Sequence, residues 1–199
     1  MTTGGDVFSV RIHGRGGQGA VTAAELLSVA AFAEGRHAQA FPTFGSERTG
    51  APVVAFCRID ERPIRLHEPI THPDALIVQD PTLVHQVDLF AGIGSGGYLV
   101  VNTSSTLDAL GLGDLALRLD PRRVVTVAAT EIAREHVGRP VPNVPLLGAF
   151  AALTGQVSLA AVCDAVRERF PAELGEGNVR AAEVAHEQVL EQLRTYADA

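Results

Sequence analysis

The chain has 199 residues, 46% of them hydrophobic and 20% charged, with a net charge of −7 and no lysine, a composition that fits a folded α/β-sized unit and excludes a disordered one. The acidic balance and the absence of Trp exclude a basic, ring-stacking nucleic-acid binder. No apolar run reaches the ~18–20 residues of a bilayer span, and the opening Met-Thr-Thr-Gly-Gly-Asp has neither part of a secretory leader, so the expectation is a cytoplasmic chain with no membrane and no nucleic-acid partner.

In chain order, Val7 to Ile12 alternates as a strand. It runs into Gly14-Arg15-Gly16-Gly17-Gln18-Gly19, and then into a helical stretch with Ala23, Leu26, Leu27, Ala30 and Ala31 on one face. Thr22-x-x-Glu25 fits a capping box, which would start the helix at Thr22; a start at Gln18 is the alternative. Residues 37–52 are punctuated by Pro and Gly and read as an ordered loop, with a β-like piece at His37 to Phe41. Val53 to Ile59 and Ile64 to Leu66, joined by Asp60-Glu61-Arg62-Pro63, suggest an antiparallel hairpin.

Ala75 to Val78 is short and wholly apolar, as a buried strand should be. Asp80-Pro81 then has the chemistry of a helix start, with Asp as cap and Pro at the first helical position, and that helix should run through Leu83, Val84, Val87 and Phe90 to the glycines at 92–97. Tyr98 to Val101 and Val124 to Ala128 are two more strands. Thr130 should cap a helix over Glu131 to Val137 that Gly138 stops. The tail reads as helices over Pro145 to Leu153, Leu159 to Phe170 and Val179 to Tyr196. The fold class is therefore α/β: a single three-layer-like domain over residues 1–199, with a mixed, mostly parallel sheet flanked by helices and a helical C-terminal third.

The chemistry points to the glycine run. Glycine lets backbone N–H groups close on a ligand, and a following helix N-terminus favours negative charge. Gly14, Gly16 and Gly19 fit G-x-G-x-x-G, but the acidic ribose ligand expected ~20 residues on is replaced by Gln39. Gly14-x4-Gly19 is followed by Ala20-Val21 rather than the Lys-Ser/Thr of a P-loop. A packing turn that binds nothing remains open beside a phosphate cradle, with Arg15 favouring an anion or an acidic partner surface. Cys57 and Cys163 sit on apolar faces and read as buried thiols. Two isolated cysteines hold no iron–sulfur cluster, which takes four thiolates. The seven histidines show no zinc spacing, and no serine stands in a G-x-S-x-G elbow.

The glycine run together with Phe41-Pro42-Thr43-Phe44-Gly45-Ser46-Glu47-Arg48-Thr49-Gly50-Ala51-Pro52 resembles the gamma subunit of the 2-oxoacid:ferredoxin oxidoreductases. The resemblance extends to Asp80-Pro81, to Asn143-Val144-Pro145-Leu146-Leu147-Gly148 and to Gly177-Asn178, nearly the whole chain. Thr43-Phe44 and Ser46 depart from the Ser-Tyr and Pro of many relatives. The family oxidatively decarboxylates a 2-oxoacid with thiamine diphosphate, Mg, iron–sulfur clusters and, usually, coenzyme A. The resemblance implies a subunit inactive alone, with thiamine diphosphate, Mg and the clusters carried by partner subunits and ferredoxin or a similar acceptor reached indirectly. It implies coenzyme A near Gly14, Arg15, Gly16, Gly17, Gln18 and Gly19. It further implies that Phe41, Pro42, Phe44, Gly45, Glu47, Arg48, Gly50 and Asn143 form an interface or active-site wall. An independent nucleotide-binding module and a purely structural subunit are the alternatives.

Overall fold

The computed structural model describes residues 7–43, 49–66 and 68–197. Six strands form one mixed sheet in the order β2-β3-β1-β4-β5-β6. They are β1 (Phe8–Arg15), β2 (His37–Pro42), β3 (Pro52–Asp60), β4 (Ala75–Val78), β5 (Tyr98–Asn102) and β6 (Val124–Val127). β1, β4, β5 and β6 run parallel, while β3 lies antiparallel between β1 and β2. The α-helices are α1 (Ala20–Ala33), the single turn α2 (Gly113–Ala116), α3 (Ala129–Val137), α4 (Asn143–Thr154), α5 (Leu159–Arg169) and α6 (Ala172–Ala197).

Strand alternation assigns the two faces. Val10 and Ile12 of β1, Ala55 and Cys57 of β3, and Ala75 and Ile77 of β4 join the large core beneath α1, α4, α5 and α6. Leu76, Val78, Leu99 and Val101 join a smaller cluster on the opposite face with Leu83, Leu89 and Leu119. That second layer is thin, made of 3-10 turns and connecting segments. Helix α4 is buried nearly all round, as a helix sandwiched between sheet and helices must be. Gly148 permits the close approach: a Cβ there would run into the Ala182 carbonyl on α6.

The Ile64 to Leu66 hairpin arm does not form. Both edges of β3 are taken, by β1 and β2, so the arm has no ladder to join. Arg58 instead holds the segment, donating to Leu66 O at 3.4 Å and Glu68 O at 2.6 Å. The stretch read as a loop from residue 37 contains strand β2 as far as Pro42. The helix after Asp80 shrinks to a 3-10 turn, Pro81–His85, although Leu83, Val84, Val87, Leu89 and Phe90 all pack into the smaller cluster. Asp80 does cap it, accepting from Thr82 N at 3.0 Å. Neither expected threonine cap forms. Helix α1 starts at Ala20 on Gly19 with no side-chain cap. The Thr130 N–H, inside α3, is taken by Asn102 Oδ1 at 3.1 Å.

Candidate functional site at the carboxyl ends of β1 and β4

The chain leaves β1 and β4 towards opposite faces of the sheet. α1 covers one face and Leu83 of the 3-10 turn packs on the other. In an open sheet the crevice at such a switch point is where ligands bind. The glycine run lies there, between β1 and α1.

Its shape is held by three sets of contacts. Gly16 N donates to Ala51 O at 2.9 Å and Gly50 N to Gly16 O at 3.1 Å, so the end of the second loop docks on the first. Gln18 folds back, its Oε1 accepting from Arg15 N at 2.8 Å and its Nε2 donating to Asp80 at 3.2 Å. Arg15 then spans the crevice, with Nε to Asp80 at 2.9 Å, Nη2 to Thr82 Oγ1 at 2.9 Å and Nη1 to Gly50 O at 3.1 Å. Its guanidinium therefore faces a carboxylate rather than an open anion pocket. Burial alone would raise the Asp80 carboxyl, but hydrogen bonds from Thr82, Gln18 and Arg15 outweigh it and hold its pKa below the usual value.

The backbone is left as the donor set. The N–H groups of Gly17 and Gly19 make no hydrogen bond among the described residues. Those of Ala20, Val21 and Thr22, in the first turn of α1, have no intrahelical partner. Gly17 and Gly19 have φ of 97° and 76°, a region favourable only to glycine. At Gly19 a Cβ would also sit 2.5 Å from Asn143 Nδ2, so the starts of α1 and α4 meet here.

Two cavities flank Gly17, Gly19 and Thr22. One, of about 380 Å³, adds Arg15, Gly16, Glu25 and Val53. The other, of about 190 Å³, runs back between α1, α4 and α6 and adds Val141, Asn143, Phe170 and Asn178. A larger groove of about 640 Å³ lies at the β6 edge beside Leu117 and Tyr196. Its charged lining residues, Asp108 and Asp114, are acidic, so it offers an anion nothing and is set aside as the site.

Behind the loop, two polar groups are buried without partners. Gln79 is fully buried and both its amide atoms are unbonded; its Oε1 fills the space a Cβ at Gly14 would need. His13 is 5% exposed with both ring nitrogens unpartnered. Burial, then the nearby Arg11 charge, pushes its pKa down to about 4, so it is neutral at pH 7. Cys57 is buried and its thiol is pushed up to about 12; burial also raises Cys163. Burial and a raised pKa both disfavour the thiolate at these two positions.

Residues 9–188 match the Pyruvate ferredoxin/flavodoxin oxidoreductase family. The chain belongs to that family. It is 46% identical to the pyruvate synthase subunit PorC of Methanothermobacter thermautotrophicus, over 94% of this chain and 98% of that one. It is 47% identical to the common subunit gamma of the pyruvate/ketoisovalerate oxidoreductases of Pyrococcus furiosus, over 92% and 97%. The crystal structure of pyruvate oxidoreductase subunit PORC from Thermotoga maritima superposes with a TM-score of 0.77 at 35% identity, over 92% of this chain and 97% of that one. The 2-oxoglutarate:ferredoxin oxidoreductase of Magnetococcus marinus shares the fold with a TM-score of 0.71 at 16% identity; the match covers 95% of this chain and 32% of that longer one.

Within this oxidoreductase family member, the residues expected from the sequence divide clearly. Gly14 to Gly19, Gly50 and Asn143 come together at the switch point. Phe41 and Pro42 lie further along β2, where Phe41 stacks 5.1 Å from Phe56 and carries Arg58 over its ring. Phe44, Gly45, Glu47 and Arg48 lie outside the described residues. Asp80, Thr82 and Gln86 were not anticipated as parts of the site. Asp80 reads locally as a helix cap, and only the β1–β4 pairing reveals it as the counter-charge of Arg15. Among the described residues no cluster of His, Cys, Asp and Glu is placed to hold a metal ion.

Proposed function

We propose that the chain is the gamma subunit of a multi-subunit 2-oxoacid oxidoreductase, contributing a wall of the coenzyme A site and no covalent chemistry. The observation that carries this reading is the set of unpartnered N–H groups of Gly17, Gly19, Ala20, Val21 and Thr22, beside a crevice whose own arginine is tied to Asp80. Backbone donors at a helix start suit a diphosphate, because they are fixed in place and the helix end is electropositive. Thiamine diphosphate and iron–sulfur clusters are assigned to partner subunits, where thiamine supplies the carbanion chemistry and the clusters take the electrons. This chain's part is to bind and orient: Arg15, Gln18 and Asp80 lock the loop's shape, and the loop amides hold the phosphates of the acyl acceptor. Residues Phe41, Pro42, Gly50 and Asn143, with Phe44, Gly45, Glu47 and Arg48, are assigned to the subunit interface and active-site wall.

The test is reconstitution with the thiamine-binding and cluster-bearing subunits. The isolated chain should show no decarboxylation. In the assembled enzyme, Gly17→Val should raise the KM for coenzyme A tenfold or more and leave the KM for the 2-oxoacid unchanged. An unchanged KM for coenzyme A would overturn the assignment of the loop.

A further inference from the structure

The sheet ends at β6 on the side away from β2. Thr103 N donates to Val127 O at 2.9 Å, a register that turns the backbone groups of Val125 and Val127 towards β5. Those of Thr126 therefore face the open edge. The Thr126 carbonyl accepts from Gln192 Nε2, on α6, at 2.9 Å. Its N–H has no partner among the described residues, which leaves one strand donor open beside a capped acceptor.

The groove of about 640 Å³ runs along this edge. Its large apolar side chains are not withdrawn from water: Leu117 is 87% exposed and Tyr196 48%. Its two charged residues are Asp108, on the 3-10 turn Asp108–Leu110, and Asp114, on α2. Both are exposed, and neither makes an ion pair or a side-chain hydrogen bond among the described residues. Charge alone would guard a strand edge against unwanted pairing. A leucine and a tyrosine left in water beside that charge do the reverse, because they reward whatever covers them.

We infer that this groove receives an extended, lysine- or arginine-bearing segment of a partner subunit, laid along β6. Its backbone accepts from Thr126 N–H, an apolar side chain covers Leu117 and Tyr196, and its cation meets Asp108 and Asp114. Strand addition of this kind takes its affinity from the main chain and its specificity from the side-chain pockets. Charge selects the occupant. The chain has a net charge of −7 and no lysine, and a second copy paired edge to edge would set the same two aspartates against each other. Length fits as well: β6 has four residues, so a segment of about four or five residues at ~3.3 Å each spans it. The groove lies beyond β4 and β5 from the strand that carries the glycine loop, so it is an attachment surface and not a part of the crevice. The inference rests on the reading of the chain as one subunit of a larger oxidoreductase, and adds where a neighbour grips it.

The experiment titrates the full chain into its partner subunits and reads the Kd of assembly, together with amide exchange at Thr126. The double variant Asp108→Lys, Asp114→Lys should weaken assembly tenfold or more, and Leu117→Asp by a similar factor. Asp108→Glu, Asp114→Glu, which keeps both charges, should stay within twofold of wild type. All three positions are exposed, so melting temperatures should match wild type and separate lost docking from lost folding. In the wild type, exchange at Thr126 should slow on assembly. A Kd within twofold of wild type for both the lysine pair and Leu117→Asp, or unchanged exchange at Thr126, would overturn the inference. So would a wild-type chain that dimerises by itself and is split by Leu117→Asp, which would give the groove to a second copy. If the wild-type chain bound no partner subunit, the subunit reading itself would fail; if it bound them and the groove variants bound as tightly, only the groove assignment would.

Discussion

The two sides of the glycine loop use arginine in opposite ways. On the β4 side, Arg15 is matched by Asp80, Thr82, Gln86 and the Gly50 carbonyl, with its side chain 22% exposed and that of Asp80 15%. On the α6 side, Arg139 is exposed and unmatched. A matched guanidinium shapes a loop, whereas an unmatched one adds little to the fold. Arg11 and Arg58, on the far face of the sheet, extend the first pattern. Arg11 donates to Leu89 O at 3.0 Å and Ala91 O at 2.6 Å, and both arginines tie connecting segments to strands.

The contrast breaks most severely at the pivot between the two sides. Gly19→Val forces a β-branched residue to φ 76° and drives Cβ into Asn143. A loss of about 3 kcal/mol or more in urea unfolding is expected, from backbone strain plus overpacking.

His13 comes next, because it is buried neutral behind the loop. Its pKa is about 4 in the fold and about 6.5 in an unfolded chain. Between those values the unfolded chain binds the extra proton, so stability must fall as pH drops from about 6.5 to about 4, by up to ~3 kcal/mol. Urea midpoints across that window should slope in the wild type and slope less in His13→Leu, the remainder coming from His186, which burial also shifts down.

Asp80→Asn sharpens the matched side. It leaves Arg15 half-buried without its counter-charge, and a cost of about 1–2 kcal/mol in thermal or urea unfolding is expected. The lowered Asp80 pKa adds a direction: the stabilisation is full above the unfolded carboxylate value and is lost as pH falls through the folded one. Asp80→Asn should lack that acid component. The smallest effect on stability belongs to the unmatched side. Arg139→Gln should change the unfolding free energy by no more than ~0.5 kcal/mol, as for an exposed residue without partners.

The sequence was most legible where one local rule decided. β4 is the apolar run Ala75–Val78 itself, Gly138 ends α3 in the left-handed conformation, and both cysteines are buried. It was least legible where a tertiary partner decided. Ile64 to Leu66 has strand chemistry, but both edges of the adjoining β3 are taken, and Asp80 has cap chemistry but also serves a loop 65 residues earlier. Arg139 gives no local signal at all: it sits in Gly138-Arg139-Pro140 and reads as a solvated loop residue until α1, α4 and α6 enclose the cavity beside it. The glycine run itself was plain, but the orientation of Arg15 was not, because its partner lies on another strand.

The most direct measurement of the central claim is amide hydrogen exchange in the assembled enzyme, with and without coenzyme A. Slowed exchange at Gly17, Gly19, Ala20, Val21 and Thr22 on adding coenzyme A, with little change at Arg11 or Arg58, is the predicted result. Unchanged exchange at these five amides at coenzyme concentrations that saturate turnover would contradict it.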